Sequence, residues 1–270
     1  MGSRKYPVEH GVSTPTRNRG GTKTFVEHIR RCETALAGSY RKNRHAIAKI
    51  TPMWMRRHIS PVLEYFDLFA IDHGIFRSIY SNTHRVTPEL WRSSQPAPYQ
   101  IGRLARRGIR TVVNMRGVRD CGSYRLEAAA CARHGIALIN FPLLRSRFPP
   151  DKHAVRRLQE LIEKIEYPAL VHCKSGADRA GLFSTLYLII REDAPAEQAV
   201  RQLDLYYGHI KQAHTGVLDH FFERYIAHNQ QTPTPFLTWL ETVYDPEEVK
   251  LTFRALSGAN GLVDWVLRRE

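Results

Sequence analysis

Cys173 and Arg179 stand six residues apart, with Lys174, Ser175, Gly176, Ala177 and Asp178 between them and His172 in front. A thiol and a guanidinium at that spacing can do nucleophilic chemistry on an anion, provided the backbone between them curls around it. The flanking residues supply that geometry. Ala169-Leu170-Val171 reads as a short buried strand, and Leu182 to Ile190 as a strongly apolar helix opened by Gly181. Where a strand, a loop and a helix abut, loop N–H groups and the positive helix end converge on one point, a site the size of a phosphate. Gly176 and Gly181 allow the tight turn and the close approach of the ligand. A cysteine so placed is expected to ionise more readily than a free thiol, whose pKa is about 8.5. Arg179 can grip two phosphoryl oxygens with its fork. The expected cycle is attack by Cys173, a phosphocysteine, and its cleavage by water.

The elements that must hold this loop follow from periodicity. Leu90 to Ser93 predicts a strand, Pro98 to Arg107 a helix and Thr111 to Val113 a second strand. Tyr124 to His134 predicts a helix ended by Gly135, before a strand over Ala137 to Phe141. Asp151 to Ile165 carries Val155, Leu158, Leu161, Ile162 and Ile165 on one helical face, and further helices are expected near Pro195 to Tyr206 and Asp219 to Ala227. Alternation of this kind implies an α/β fold, a central, mostly parallel sheet flanked by helices. Residues 1–22 read as a flexible basic leader, 23–82 as a basic and aromatic helical extension, 83–229 as the catalytic domain and 230–270 as a C-terminal helical appendage.

Composition sets the boundaries of the reading. Hydrophobic residues at 43% and charged residues at 24% describe a globular chain. The net charge of +14 is concentrated at the front, where residues 1–60 hold thirteen Lys/Arg against three Glu. Such a head could meet nucleic acid, an anionic membrane or a polyanionic substrate. No nucleic-acid motif accompanies it, so no nucleic-acid partner is expected, and peripheral contact with an anionic membrane is the sharper expectation beside a packed helical arm. Cys32, Cys121, Cys131 and Cys173 lack metal-ligand pairing and disulfide density, so reduced thiols, no metal and no cofactor are expected. The start shows no secretory apolar stretch, and the apolar run from Ile59 to Tyr80 is broken by Glu64, Asp67, Asp72, His73 and Arg77. A cytoplasmic location is expected, with the inner membrane face as a peripheral site.

The string from His172 to Arg179 resembles the signature of the protein tyrosine phosphatase superfamily. Trp91-Arg92-Ser93-Ser94-Gln95-Pro96, the segment Leu104 to Asn114 and Tyr124-Arg125-Leu126-Glu127 resemble the opening of compact dual-specificity-type phosphatases of bacterial and plant-like kinds. The resemblance covers residues 83–229. It implies a metal-independent phosphatase in which Cys173 is the nucleophile, Arg179 binds the phosphoryl group, and His172, Lys174, Ser175, Gly176 and Ala177 shape the site.

The chain departs from that pattern twice. Most members place Ser or Thr after the loop arginine to ease release of the thiolate; here it is Ala180, which implies slower turnover. Most also carry an aspartate as general acid on a mobile loop, where this chain reads Phe141-Pro142-Leu143-Leu144-Arg145-Ser146-Arg147-Phe148-Pro149-Pro150-Asp151, with Arg145 at the position sought. The loop is also similar to that of inositol-phosphate and phosphoinositide phosphatases, including myotubularin-like enzymes in which an aspartate at the place of Asp178 is given acid work. Asp178 is therefore the expected acid, and Asp151 the alternative, although Asp151 also suits a helix cap. Lys174, Arg145 and Arg147 add positive charge where substrate enters, which favours an anionic lipid, inositol or sugar phosphate. A protein tyrosine or dual-specificity phosphatase, or a weakly active phosphate-binding pseudophosphatase, are the alternatives. Asn114 and Arg116 could face the site or merely end a strand, and the oligomeric state is not legible.

Overall fold

The central apolar runs become strands that bury both faces, Thr111–Asn114 and Ala169–Cys173 being buried throughout, while the edge run Ala137–Asn140 stays partly exposed. The computed structural model describes Tyr65 and residues 81–257, so the expected leader 1–22 and almost all of the extension 23–82 lie outside the described residues. The described part belongs to one unit, Pro61–Glu270. The strands are β1 (His84–Arg85), β2 (Leu90–Ser94), β3 (Thr111–Asn114), β4 (Ala137–Asn140) and β5 (Ala169–Cys173), in the order β1-β2-β5-β3-β4. Only β1 runs antiparallel; β2, β5, β3 and β4 pair in parallel, with Ser94 beside Cys173 and Asn114 beside His172. The sheet is thus mostly parallel and of the α/β kind expected.

Parallel neighbours need long crossovers, and helices supply them. These are α1 (Pro98–Arg106), α2 (Gly122–Arg133) and α3 (Lys152–Lys164), and α4 (Asp178–Ile190) follows β5 directly. Pro98 starts α1, and Gln100 reaches back to accept from the Ala97 N–H at 2.7 Å. The strands' two-residue period divides the core. Val112 and Leu170 join Ile101, Leu104 and Ala130 under α1 and α2, whereas Val113, Val171 and Cys173 face Leu158, Leu182 and Leu186 of α3 and α4.

Beyond α4 the structure differs from the single helix expected over 195–206. Only α5 (Ala196–Ala199) is α-helical, followed by tight turns at Val200–Gln202 and Leu205–Tyr207. Asp204 explains the break: its side chain accepts from the Tyr206 N–H at 2.7 Å, and Gly208 turns the chain at φ 82°. A helix cannot continue where a side chain takes over its backbone donor. The remaining helices are α6 (Val217–Gln231), α7 (Phe236–Thr242) and α8 (Pro246–Ser257). Phe236, Trp239, Leu240, Tyr244 and Val249 are buried in the same cluster as α4, so the described part of the segment after residue 229 packs into the core that carries the loop.

Candidate active site

The loop between β5 and α4 is held by bonds to its outer side. The carbonyl of Lys174 accepts from Gln95 N–H, that of Ser175 from Asn82 Nδ2 at 3.0 Å, and those of Gly176 and Ala177 from Arg92 Nη2 at 2.8 and 2.9 Å. With four consecutive carbonyls engaged by neighbouring elements, the Gly176 N–H points at Cys173 Sγ at 3.2 Å and the Ala177 N–H donates to Ser175 Oγ at 3.4 Å. Gly176 sits at φ 79°, and a Cβ there would meet the Ser93 and Ser94 backbone at 2.6 Å, so only glycine lets the loop lie this close to β2.

Arg92 is the brace behind the loop. It is fully buried, donates from Nη1 to both oxygens of Gln202, and lies 4.0 Å from the Tyr207 ring centroid. Burial pulls its guanidinium down to about 10, against the opposing pull of Cys173, Tyr207 and Asp178. Close packing extends to Gly181, where a Cβ would lie 2.8 Å from the Gln202 carbonyl. Gly181 is thus inside α4, which begins at Asp178, and serves contact rather than helix opening.

His172 is buried, with Nδ1 3.3 Å from the Cys173 carbonyl and Nε2 2.6 Å from Glu127 Oε1. Glu127 accepts from Gln95 Nε2 at 2.7 Å, and Gln95 in turn accepts from Arg116 Nη1. Arg116 therefore braces the β2 end, and Asn114 ties β3 to β4 through Asn140 Oδ1 at 3.0 Å. Neither merely ends a strand.

Arg179 is half-buried and donates from Nη1 to the Met115 carbonyl at 3.1 Å. It also lines a cavity of about 250 Å³ with Leu144, Arg145, Arg147 and Phe148. The turn between β4 and α3 thus brings Arg145 and Arg147, both exposed, to the loop arginine, while Lys174 and Ser175 are half-buried in the loop. Ala177 is buried, as is Ala180 behind the arginine.

The two carboxyls expected as acids have different settings. Asp151 is the cap of α3 and accepts from Ala154 N–H at 3.1 Å. Asp178 is 5% exposed, and its Oδ1 lies 2.7 Å from His209 Nδ1. Sequence reasoning missed Asn82, His209 and Asp219 altogether. Arg92, Gln95 and Glu127 stood within segments noted for their resemblance, but without a role. Their partners are distant in the chain, 84 residues for Arg92 and Gly176, and no local pattern marks such a pair.

A family model described as "DSP-PTPase phosphatase fused to NAD+ Kinase" matches residues 76–215. The dual specificity protein phosphatase TpbA of Pseudomonas aeruginosa (strain UCBPP-PA14) is 27% identical over 123 residues, 45% of this chain and 53% of TpbA. The chain therefore spans about half the length of the curated relatives it matches. Among solved structures, P. aeruginosa TpbA is similar with a TM-score of 0.44 and 18% identity, over 65% of this chain and 92% of that one. A TpbA variant in complex with pTyr gives 0.41 and 20%, over 55% and 91%.

Proposed function

From the premise that this chain belongs to the family of DSP-type protein tyrosine phosphatases described as fused to NAD+ kinase, we propose that it hydrolyses phosphomonoesters through Cys173. The sulfur attacks phosphorus, the ester P–O bond breaks with its electrons on the leaving oxygen, and a phosphocysteine forms. Water then attacks that phosphorus, the P–S bond returns its electrons to sulfur, and inorganic phosphate leaves. The observation that carries this reading is the Gly176 N–H at 3.2 Å from Cys173 Sγ, in a loop whose carbonyls are engaged by neighbouring elements.

Arg179 is the proposed clamp on the equatorial phosphoryl oxygens, aided by Lys174 and the amides of Ser175, Gly176 and Ala177, with His172 orienting the loop. Asp178 is the proposed source of the leaving oxygen's proton, and Asp151 the alternative. The proton would reach Asp178, a carboxylate at rest, from the His209 ring, whose Nδ1 lies 2.7 Å from Asp178 Oδ1. Asp178→Asn should lower kcat about a hundredfold or more for poor leaving groups and less for good ones. Equal losses for both would remove Asp178 from the acid role.

For substrate, the reading favours a phosphate on an anionic lipid, inositol or sugar. Arg145 and Arg147 add charge around the cavity that Arg179 lines, and exposed Leu143 and Phe148 offer apolar contact beside them. Peripheral contact with an anionic membrane belongs to this proposal; among the described residues no helix is long and apolar enough to cross one. The printed name of TpbA favours a second reading, a dual-specificity protein phosphatase. Buried Ala180 in place of a hydroxyl keeps a third, a slow phosphate-binding relative. Rates on phospholipid vesicles, inositol phosphates, sugar phosphates and phosphopeptides separate the first two, and steady turnover of an aryl phosphate excludes the third.

A further inference from the structure

Asp178 is the one acidic side chain within the phosphate loop, where an uncompensated negative charge would oppose binding of an anion. It does not stand alone. His209 Nδ1 lies 2.7 Å from Asp178 Oδ1, and His209 Nε2 lies 2.7 Å from Asp219 Oδ2. The His209 side chain is 1% exposed and the two carboxylates 7% and 8%. Both carboxylates occupy the first turn of a long helix, Asp178 in α4 and Asp219 in α6, where the positive helix end favours an anion. An imidazole with an acceptor on each nitrogen satisfies both only if it carries both protons. The three side chains do not form a metal-holding group.

We propose that His209, itself oriented by Asp219, is a positioning residue that offsets the charge of Asp178 with its imidazolium, so that the loop around Cys173 can hold a phosphate. The ring reaches this place because the expected helix breaks at Asp204 and Gly208, which delivers His209 to the interior. Burial works against a charged ring, yet the hydrogen bonds and charges of Asp178 and Asp219 outweigh it and raise His209 to about 9. Arg92 acts on Asp178 from β2, and Lys211 on Asp219 from the preceding turn, so both carboxylates also feel fixed positive charge. Removing one member of such a buried set leaves the other charge uncompensated, whereas removing both is mild.

The proposal rests on the phosphate site described above, and its test does not depend on turnover. Inorganic phosphate binding is measured by calorimetry on the full chain, and nitrogen-15 resonances of His209 report its protons. Both ring nitrogens should be protonated at pH 7. His209→Asn should weaken phosphate binding roughly tenfold, and Asp178→Asn added to it should restore most of the loss. A neutral ring at pH 7, or a double variant no better than His209→Asn, overturns the proposal. If His209→Asn does not fold, Asp219→Asn replaces it. Phosphate affinity should then fall away at a lower pH than in the wild type, where the fall comes near 9, and an unmoved profile overturns the proposal. Absence of phosphate binding in the wild type would instead sink the phosphatase reading itself.

Discussion

In the proposed mechanism Cys173 and Arg179 divide the chemistry into attack and grip, and their substitutions should separate accordingly. Cys173→Ser should abolish turnover and leave inorganic phosphate binding within about threefold of wild type, because the amides and Arg179 remain. Residual activity near wild type in a steady-state assay would remove Cys173 from the role. Arg179→Lys keeps the charge but loses the two-pronged fork, and kcat should fall roughly a hundredfold. The same scale shows why part of the site was legible. The residues from His172 to Arg179 are contiguous, so their chemistry is written in one string. Arg92, Glu127, His209 and Asp219 act across the fold, and each alone is an ordinary charged residue.

At the scale of elements, the loop is fixed by the strand beside it. Gly176 approaches β2 so closely that Gly176→Ala must displace the Ser93–Ser94 backbone while holding φ 79°. The expected cost is about 2 kcal/mol of stability with a matching loss of phosphate affinity, checked by denaturant unfolding and calorimetry. Unchanged stability would mean that the loop does not pack as described. Strands β2 to β5 and helices up to α4 were legible because β-branched runs and amphipathic faces repeat locally, Thr111–Asn114 and the face of Val155, Leu158 and Ile162 being clear cases, whereas the two-residue β1, His84–Arg85, carries no such run. The segment over 195–206 was not, since its helical composition is overruled by the side-chain bond of Asp204 and the turn at Gly208. The start of α4 was misplaced by reading Gly181 as an opener, when its lack of a side chain serves contact with the Gln202 carbonyl.

For the whole molecule, α6, α7 and α8 matter as support for α4 and therefore for the loop. Trp239 lies 5.6 Å from Phe221 and 5.2 Å from Tyr225 by ring centroids, and it is 3% exposed. Trp239→Ala should cost about 3–5 kcal/mol of stability, measured by denaturant unfolding. The buried His209 also makes stability depend on pH. Its pKa is raised from 6.5 to about 9, so its contribution is complete below about 6.5 and is lost as pH climbs to about 9. The change amounts to about 3 kcal/mol. The melting temperature should decline over that window in the wild type and much less in the Asp178→Asn, His209→Asn double variant. Equal declines would place the pH dependence elsewhere.

The most direct measurement is rapid acid quench of the wild-type protein during turnover of an aryl phosphate, followed by mass mapping of the Cys173 peptide. A phosphoryl group on Cys173 that forms before steady turnover, and approaches one per chain when breakdown is slow, is the predicted result. Steady turnover with Cys173 unmodified at every quench time, or with the phosphoryl group on another residue, would contradict it.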